Sequence, residues 1–360
     1  MHVHMTGSEW FDSRPGGLNR YFESLFSALR DDETGPVTAS AFGDPIPGGT
    51  SWSPTGKSLP ARIAASRVHP PEVSRAGRSN TLIDSHFALY GNSRTTLERR
   101  TNVITHFQGP WAAESKMAGA RDMRIRAKFL LEKSIYSRSD AFVVLCQRFK
   151  DVIVGDYGID PDIVEIIPGG VDLERFAFAE PETSAPVVVC ARRLERRMGI
   201  DVLINAWPEI LRAEPDARLF IVGKGTYEDE LRALVTRMSL DKSITFEGRV
   251  SDARLNELYR MATVTAIPSL ALEGFGLIAL ESLASGRPPV VTDCGGLPDT
   301  VVALDPSLVV PIGDADALAA RIVGVFNGIG PTAKECRVHA ETFAWDRIAA
   351  RHRELYASLF

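Results

Sequence analysis

The sequence predicts an α/β protein of two doubly wound domains facing a central cleft, each a parallel sheet covered by helices on both faces. Three observations predict it. Short apolar runs alternate with amphipathic stretches along most of the chain. The run Phe176-Ala-Phe-Ala-Glu-Pro-Glu-Thr-Ser-Ala-Pro186 has linker composition and interrupts that alternation. The 360 residues suit two domains of ordinary size better than one core.

The elements follow in order. His2 to Thr6 reads as a strand, and Gly16-Gly17 closes the loop after it. Leu18, Tyr21, Phe22, Leu25, Phe26 and Leu29 then fall on one face of a helix. Residues 43–60 are rich in Gly, Pro, Ser and Thr and read as an irregular excursion. Strands are expected at Thr81–Asp84 and Asn102–Thr105, each ending in a polar turn with a histidine, His86 and His106. Residues 112–138 look helical and basic, and Ala141–Leu145 and Val164–Ile167 look like strands. Beyond the linker the alternation is cleaner. Strands are expected at Val187–Cys190, Arg218–Val222, Ile244–Glu247, Thr263–Ile267 and Pro289–Thr292. Helices are expected at Ile200–Arg212, Tyr227–Met238, Ala253–Met261, Leu277–Ala284 and Ala315–Phe326. The last segment, Phe343 to Tyr356, reads as an amphipathic helix that packs back on the first domain. The domains are thus 1–175 plus 343–360, and 186–342. In such folds ligands sit beyond the carboxyl ends of the strands.

Composition excludes several classes. Hydrophobic content of 44% and charged content of 24% are those of a soluble globular protein. A net charge of -5 argues against nucleic-acid binding by bulk electrostatics. Cys146, Cys190, Cys294 and Cys336 form no Cys-x-x-Cys pair and read as reduced thiols of a cytoplasmic protein. No secretory signal or apolar run of membrane-spanning length is visible.

The strongest local signal is Pro268-Ser-Leu-Ala-Leu-Glu-Gly-Phe-Gly-Leu-Ile-Ala-Leu-Glu-Ser-Leu-Ala-Ser-Gly286. A strand ends, a glycine turn follows and a helix begins. Gly274 and Gly276 allow close backbone approach to a ligand. The first helical N–H groups lack internal partners, and the helix dipole favours an anion there. Glu281 lies about 7.5 Å along the axis from Gly276 at 1.5 Å per residue, and its side chain leans back toward that turn. Glu273 and Glu281 would then flank one diphosphate-binding turn. Carboxylates there suit sugar or ribose hydroxyls rather than phosphate. An isolated pair at this spacing would more often be a turn residue and a solvated helix residue.

This segment resembles the Glu-x7-Glu signature of the family 4 retaining glycosyltransferases, which have the two-domain GT-B fold of Rossmann-like domains. Further matches run in the family's order: Gly16-Gly17-Leu-Asn-Arg-Tyr, Ile166-Ile-Pro-Gly-Gly-Val-Asp172, Arg192-Arg-Leu, Gly223-Lys-Gly225 and Phe246-Glu-Gly-Arg-Val250. The combination covers nearly the whole chain and is specific; any one short motif is not.

The resemblance implies an acceptor-binding first domain and a nucleotide-sugar-binding second domain. It implies that Glu281 binds the ribose hydroxyls and Glu273 the transferred sugar. The backbone of Gly274, Phe275, Gly276 and Leu277 would hold sugar and diphosphate, with Gly17 and Gly223 nearby. Arg193 would neutralise the diphosphate and Val250 would lie by the base. His106 resembles the family histidine that contacts the donor sugar near the reacting carbon; a lone histidine there is otherwise a hydrogen-bonded structural residue. His106, Glu273 and Arg193 are thus the expected catalytic set. Asn19, Gln108 and Trp111 are weaker acceptor-binding expectations. The family usually has a lysine where this chain has Met198, and Arg197 is the expected replacement.

The implied reaction moves a hexosyl group from a nucleoside diphosphate sugar to the hydroxyl of a glycan, lipid or natural product. It retains anomeric configuration, uses no metal and needs no tightly bound cofactor. The base leans to UDP over GDP. An epimerase, a phosphorylase and a non-catalytic sugar-nucleotide-binding subunit are the alternatives. His2 and His4 share a strand face without a carboxylate or cysteine pattern to make a metal site, and Asp160-Pro-Asp162 reads as a turn. The basic stretch Lys116, Arg121, Arg124, Arg126, Lys128, Lys133 and Arg138 reads as a solvated helix face. Peripheral contact with an anionic inner membrane is its other reading, which co-sedimentation with anionic liposomes checks.

Overall fold

The computed structural model describes residues 1–30, 35–53, 58–66, 81–87, 89–91, 101–109, 122–180 and 185–360, with the side chains of 122–125 left aside. The chain forms two compact units, Met1–Gly170 with Trp345–Phe360, and Val171–Ala344. The boundary expected at 175 thus falls at Gly170, and the returning segment begins at Trp345.

The first unit holds strands β1 (His2–Glu9), β2 (Val37–Phe42), β3 (Gly49–Ser51), β4 (Thr81–Ser85), β5 (Asn102–Phe107), β6 (Ala141–Val144) and β7 (Val164–Ile166). They are ordered β3-β2-β1-β4-β5-β6-β7, and all pairings are parallel. Its described helices are α1 (Gly17–Arg30), α2 (Leu59–Ser66), α3 (Asp122–Tyr136), α4 (Gln147–Gly155) and, from the far end of the chain, α11 (Trp345–Ser358). α1 buries the face formed by Tyr21, Phe22, Leu25, Phe26 and Leu29. α11 packs beside it and buries Ile348, Ala349, His352 and Tyr356. The order of strands reverses between β1 and β4, which puts the loops after them at a topological switch point.

The excursion expected over 43–60 is only partly irregular, because Gly49–Ser51 pairs with β2 as an edge strand and α2 begins at Leu59. The histidines at the start of β1 are core polar groups: His2 and His4 both hydrogen-bond the Thr38 hydroxyl, at 3.1 and 2.8 Å. Asp160 accepts from the Asp162 amide at 3.0 Å and caps a short 3-10 turn.

The second unit holds β8 (Val187–Ala191), β9 (Arg218–Val222), β10 (Ile244–Gly248), β11 (Val264–Ile267), β12 (Pro289–Thr292) and β13 (Val309–Val310), in the parallel order β10-β9-β8-β11-β12-β13. Its described helices are α5 (Ile200–Ala213), α6 (Glu228–Arg237), α7 (Asp252–Met261), α8 (Leu277–Ala284), α9 (Ala315–Phe326) and α10 (Ala333–Ala340). β8 is buried throughout, as a central parallel strand covered on both faces must be. Here the order reverses between β8 and β11. The segments leaving those strands, 192–199 and 268–276, therefore lie side by side at the carboxyl edge.

Candidate functional site

At that edge Arg192 leaves β8 and the 268–276 segment leaves β11. The Arg192 guanidinium donates from Nη2 to Glu273 Oε2, and the Ser269 hydroxyl donates to the same oxygen at 3.0 Å. The two side chains are 4% and 15% exposed. Arg192 Nη2 also lies 3.0 Å from Met198 Sδ, while Nε and Nη1 meet no acceptor among the described residues. Arg197 Nη1 donates to the Leu272 carbonyl at 3.1 Å, and the Leu270 amide donates to the Arg197 carbonyl at 2.8 Å. Burial pushes the Glu273 carboxyl up, but Arg192, the Arg192 and Ser269 hydrogen bonds and then Arg197 outweigh it. The group is held below the usual carboxylate range and is ionised at neutral pH.

The backbone around this pair is tightly constrained. Leu272 has φ of 53°, a left-handed conformation unusual for its residue type. Strain of that kind persists where the surroundings over-determine it. They do so here: the Gly296 amide donates to the Glu273 carbonyl at 3.1 Å, and a Cβ at Gly295 would sit 1.8 Å from that oxygen. Gly276, at φ of 87°, starts α8. Glu281 on α8 is 8% exposed, and its Oε2 accepts from the Tyr259 hydroxyl at 3.2 Å. Phe275 turns its ring inward against Phe343, at 6.0 Å between centroids, so its backbone is what faces the turn. Gly223 comes so close to β8 that a Cβ there would lie 1.9 Å from the Arg192 carbonyl. Val250 is half-buried after β10.

Arg193 is exposed, and Arg192 makes the buried pair. The segment leaving β8 is extended, so neighbouring side chains point to opposite sides and one arginine turns inward. The sequence carries no signal for which.

In the first unit, His106 lies at the end of β5 with its side chain fully buried. Its Nε2 is 2.8 Å from Asp84 Oδ1, close but not aligned as a hydrogen bond, and Tyr21 Oη is 3.5 Å from its Nδ1. His86 stacks on it at 3.7 Å between centroids, and His352 of α11 at 5.4 Å. Asp84 Oδ2 takes the Tyr356 hydroxyl at 2.6 Å and His86 Nε2 at 3.2 Å. Asp84, His86 and His106 are close enough to share a metal ion, with ligand atoms within 4.8 Å. Tyr356 and His86 satisfy Asp84 Oδ2 and Tyr21 approaches His106 Nδ1, while Asp84 Oδ1, His106 Nε2 and His86 Nδ1 meet no hydrogen-bond partner among the described residues. Asn19 is buried and donates to the Arg14 carbonyl at 2.8 Å. Gln108 is half-buried, with no partner for its Nε2 among the described residues. Trp111, Lys116 and Arg121 lie outside the described residues, as does the Arg124 side chain. A Cβ at Gly17 would meet nothing within 4 Å, so the fold itself does not demand glycine there.

The histidine cluster makes stability pH-dependent. Burial pushes His86 down to about 4, with His106 adding to the shift and Asp84 opposing it. Burial and then His106 push His352 down to about 3. For Asp84, burial raises the value, but His106 and His86 outweigh it and hold the carboxyl well below 3.8. Both lowered histidines sit below their ordinary value of 6.5. The unfolded chain then binds more protons below about pH 6.5, so stability present above that pH is lost as pH falls toward 4. Asp84 adds a further loss below its ordinary 3.8. The urea midpoint of the first unit is expected to fall between about pH 7 and about pH 5; an unchanged midpoint would contradict neutral buried histidines.

Two protein families match the chain. The model "Glycosyltransferase Family 4" matches residues 15–175, and "Glycosyl transferases group 1" matches residues 172–337. A GDP-mannose-dependent monoacylated alpha-(1-6)-phosphatidylinositol monomannoside mannosyltransferase of Corynebacterium glutamicum is 35% identical over 195 residues, 49% of each chain. The chain thus spans about half the length of that relative. A D-inositol 3-phosphate glycosyltransferase of another strain of that species is 30% identical over 326 residues, 83% of this chain and 77% of the relative. The Anabaena Alr3699/HepE structure, in complex with UDP and glucose, shares the fold with a TM-score of 0.79, covering 99% of this chain and 100% of its own at 18% identity. Two adjoining family matches in this order, over two parallel α/β units, and a relative aligned along most of its length leave one assignment: the chain belongs to the family 4 glycosyltransferases, of GT-B fold.

Proposed function

We propose that the protein transfers a hexosyl group from a nucleoside diphosphate sugar to an acceptor hydroxyl, with retention of configuration and without a metal. The observation that carries this reading is the ionised Glu273 carboxylate, held by Arg192 and Ser269 beside the glycine turn that starts α8. A fixed carboxylate next to a helix N-terminus offers an acceptor for sugar hydroxyls and free N–H groups for a phosphate. Glu281 takes the ribose hydroxyls. The diphosphate leaves as an anion, and Arg193, Arg197 and the α8 N-terminus stabilise that charge. The leaving phosphate takes the acceptor proton, so no separate base is assigned. Gly17 fits close backbone approach of the donor, since the fold leaves its Cβ position open. The buried contacts of His106 with Asp84 and Tyr21 suit it to support the loop that follows β5.

The sequence leans to a UDP-sugar. The relative of 35% identity is named for GDP-mannose, and we favour that donor. For the acceptor we favour an inositol-type polyol, free or lipid-linked, after the names of the two relatives. A thermal-shift panel of GDP-, UDP-, dTDP- and ADP-sugars is expected to show stabilisation by GDP-mannose. Radiolabelled transfer is then expected to inositol phosphate or to phosphatidylinositol in vesicles. Binding without transfer or donor hydrolysis would favour a non-catalytic subunit. An altered sugar recovered from donor alone would favour an epimerase.

A further inference from the structure

The pair at the carboxyl edge of the second sheet is poorly explained by stability alone. A buried ion pair must offset the cost of desolvating two charges, and apolar groups of similar shape often do as well. Arg192 adds to that cost, because its Nε and Nη1 are buried with no acceptor among the described residues. Its seat is the thioether of Met198, which supplies volume without a competing charge. Both hydrogen bonds to Glu273 converge on Oε2, so Oε1 carries none among the described residues. Two hydrogen bonds thus fix one carboxylate oxygen and leave the other uncommitted.

We propose that Arg192, seated on Met198, is a positioning residue that locks Glu273 through Oε2 and presents Oε1 to a hydroxyl of the bound sugar. The inference rests on the donor-site reading above. It assigns a function to the inward arginine of the Arg192-Arg193 pair and a reason for Met198. A lysine at 198 would bring a second cation against the guanidinium. With methionine there, Arg192 is the cation nearest Glu273. Arg193, which is exposed, and Arg197, whose Nη1 donates to the Leu272 carbonyl, are left for the diphosphate.

The test compares wild type with Arg192→Met, Arg192→Lys and Ser269→Ala in the full chain. GDP affinity is read by calorimetry, and turnover with GDP-mannose is read as a function of pH. For Arg192→Met the expected result is GDP affinity within about threefold of wild type and turnover lower by about 100-fold, the scale of a misplaced reacting group. The acid limb of the pH profile should move to higher pH, because the carboxylate has lost the cation that favours its ionised form. Arg192→Lys should regain part of the turnover and return the limb toward its original position. Ser269→Ala should lower turnover by about threefold to tenfold. An Arg192→Met enzyme with near-normal turnover and an unmoved acid limb would overturn the proposal and leave Arg192 a structural residue. If that variant does not fold, an unmoved limb in both other variants overturns it. A wild-type protein that binds none of the nucleotide sugars fails the donor-site reading instead, and the proposal falls with it. Wild-type transfer alongside an indifferent Arg192 fails only the proposal.

Discussion

Glu273→Gln is expected to lower turnover by about two to three orders of magnitude, the scale of losing one preorganised charged contact in a water-poor site. Glutamine keeps the shape and one acceptor oxygen but removes the charge that Arg192 and Ser269 hold in place. A neutral amide accepts a sugar hydroxyl more weakly than a carboxylate does. Its NH2 group can also turn toward Arg192 and meet a donor instead of an acceptor. GDP affinity should stay near that of wild type, because Glu273 is assigned to the sugar and Glu281 to the ribose. Glu281→Gln should show the opposite pattern and weaken GDP itself. Calorimetry with GDP, set beside turnover, separates the two. A Glu273→Gln enzyme turning over at close to the wild-type rate would remove Glu273 from the site. Stability needs its own control, because the substitution leaves the Arg192 guanidinium buried without its partner. Arg192→Met/Glu273→Gln removes both charges, so it should regain thermal stability while remaining inactive.

The parts of this site legible in sequence are the local ones. The Gly-Phe-Gly turn, the start of α8 and the spacing of Glu273 and Glu281 all lie within one short segment, where backbone chemistry is written in residue type. The choice of Arg192 over Arg193 was not legible, since it depends on which side of an extended segment faces the neighbouring strand. Likewise Asp84, His86, His106 and His352 come from β4, the turn after it, β5 and α11, and only the sheet order and the returning helix bring them together. Among the elements, Val37–Phe42 carries no clear strand pattern because it is built largely of Ala, Ser and Thr, and it becomes a strand through its place beside β1. α10 did leave a local signal. Thr332 and Glu335 form a reciprocal capping box, a pattern readable from Thr-x-x-Glu alone.

The largest effect on stability is expected at a residue with no sequence signature. Arg287 follows Gly286 and precedes two prolines, a context that reads as an exposed turn. Its side chain is instead fully buried. Nε donates to the Tyr259 carbonyl at 2.9 Å and Nη2 to the Arg260 carbonyl at 2.9 Å. Nη1 donates to Ala179 at 2.7 Å and to Gly286 at 3.1 Å. Tyr259 and Arg260 belong to the last turn of α7, where the Tyr259 carbonyl also takes the Ala262 amide at 3.2 Å. A cation there also meets the negative end of the helix dipole. The same guanidinium ties that helix end to the segment entering the second unit at Ala179. Arg287→Ala would remove this donor from four carbonyls, at about 1–3 kcal/mol for each one left buried and unsatisfied, and open a cavity besides. Partial relaxation makes a net loss of about 3–5 kcal/mol reasonable, against a total of about 5–15 kcal/mol for a domain. Arg287→Lys keeps the charge but replaces a planar fork with a point donor, so it should recover only part of the loss. Urea unfolding followed through Trp207, which is fully buried in the second unit, reads the effect. Arg212, paired with Glu209 at an exposed position, is the control, and Arg212→Ala should change stability by no more than about 0.5 kcal/mol. If both substitutions cost the same, the carbonyl cage around Arg287 contributes nothing beyond an ordinary surface arginine. If they differ as expected, one guanidinium holds the end of α7, the turn into β12 and the entry to the second unit in register.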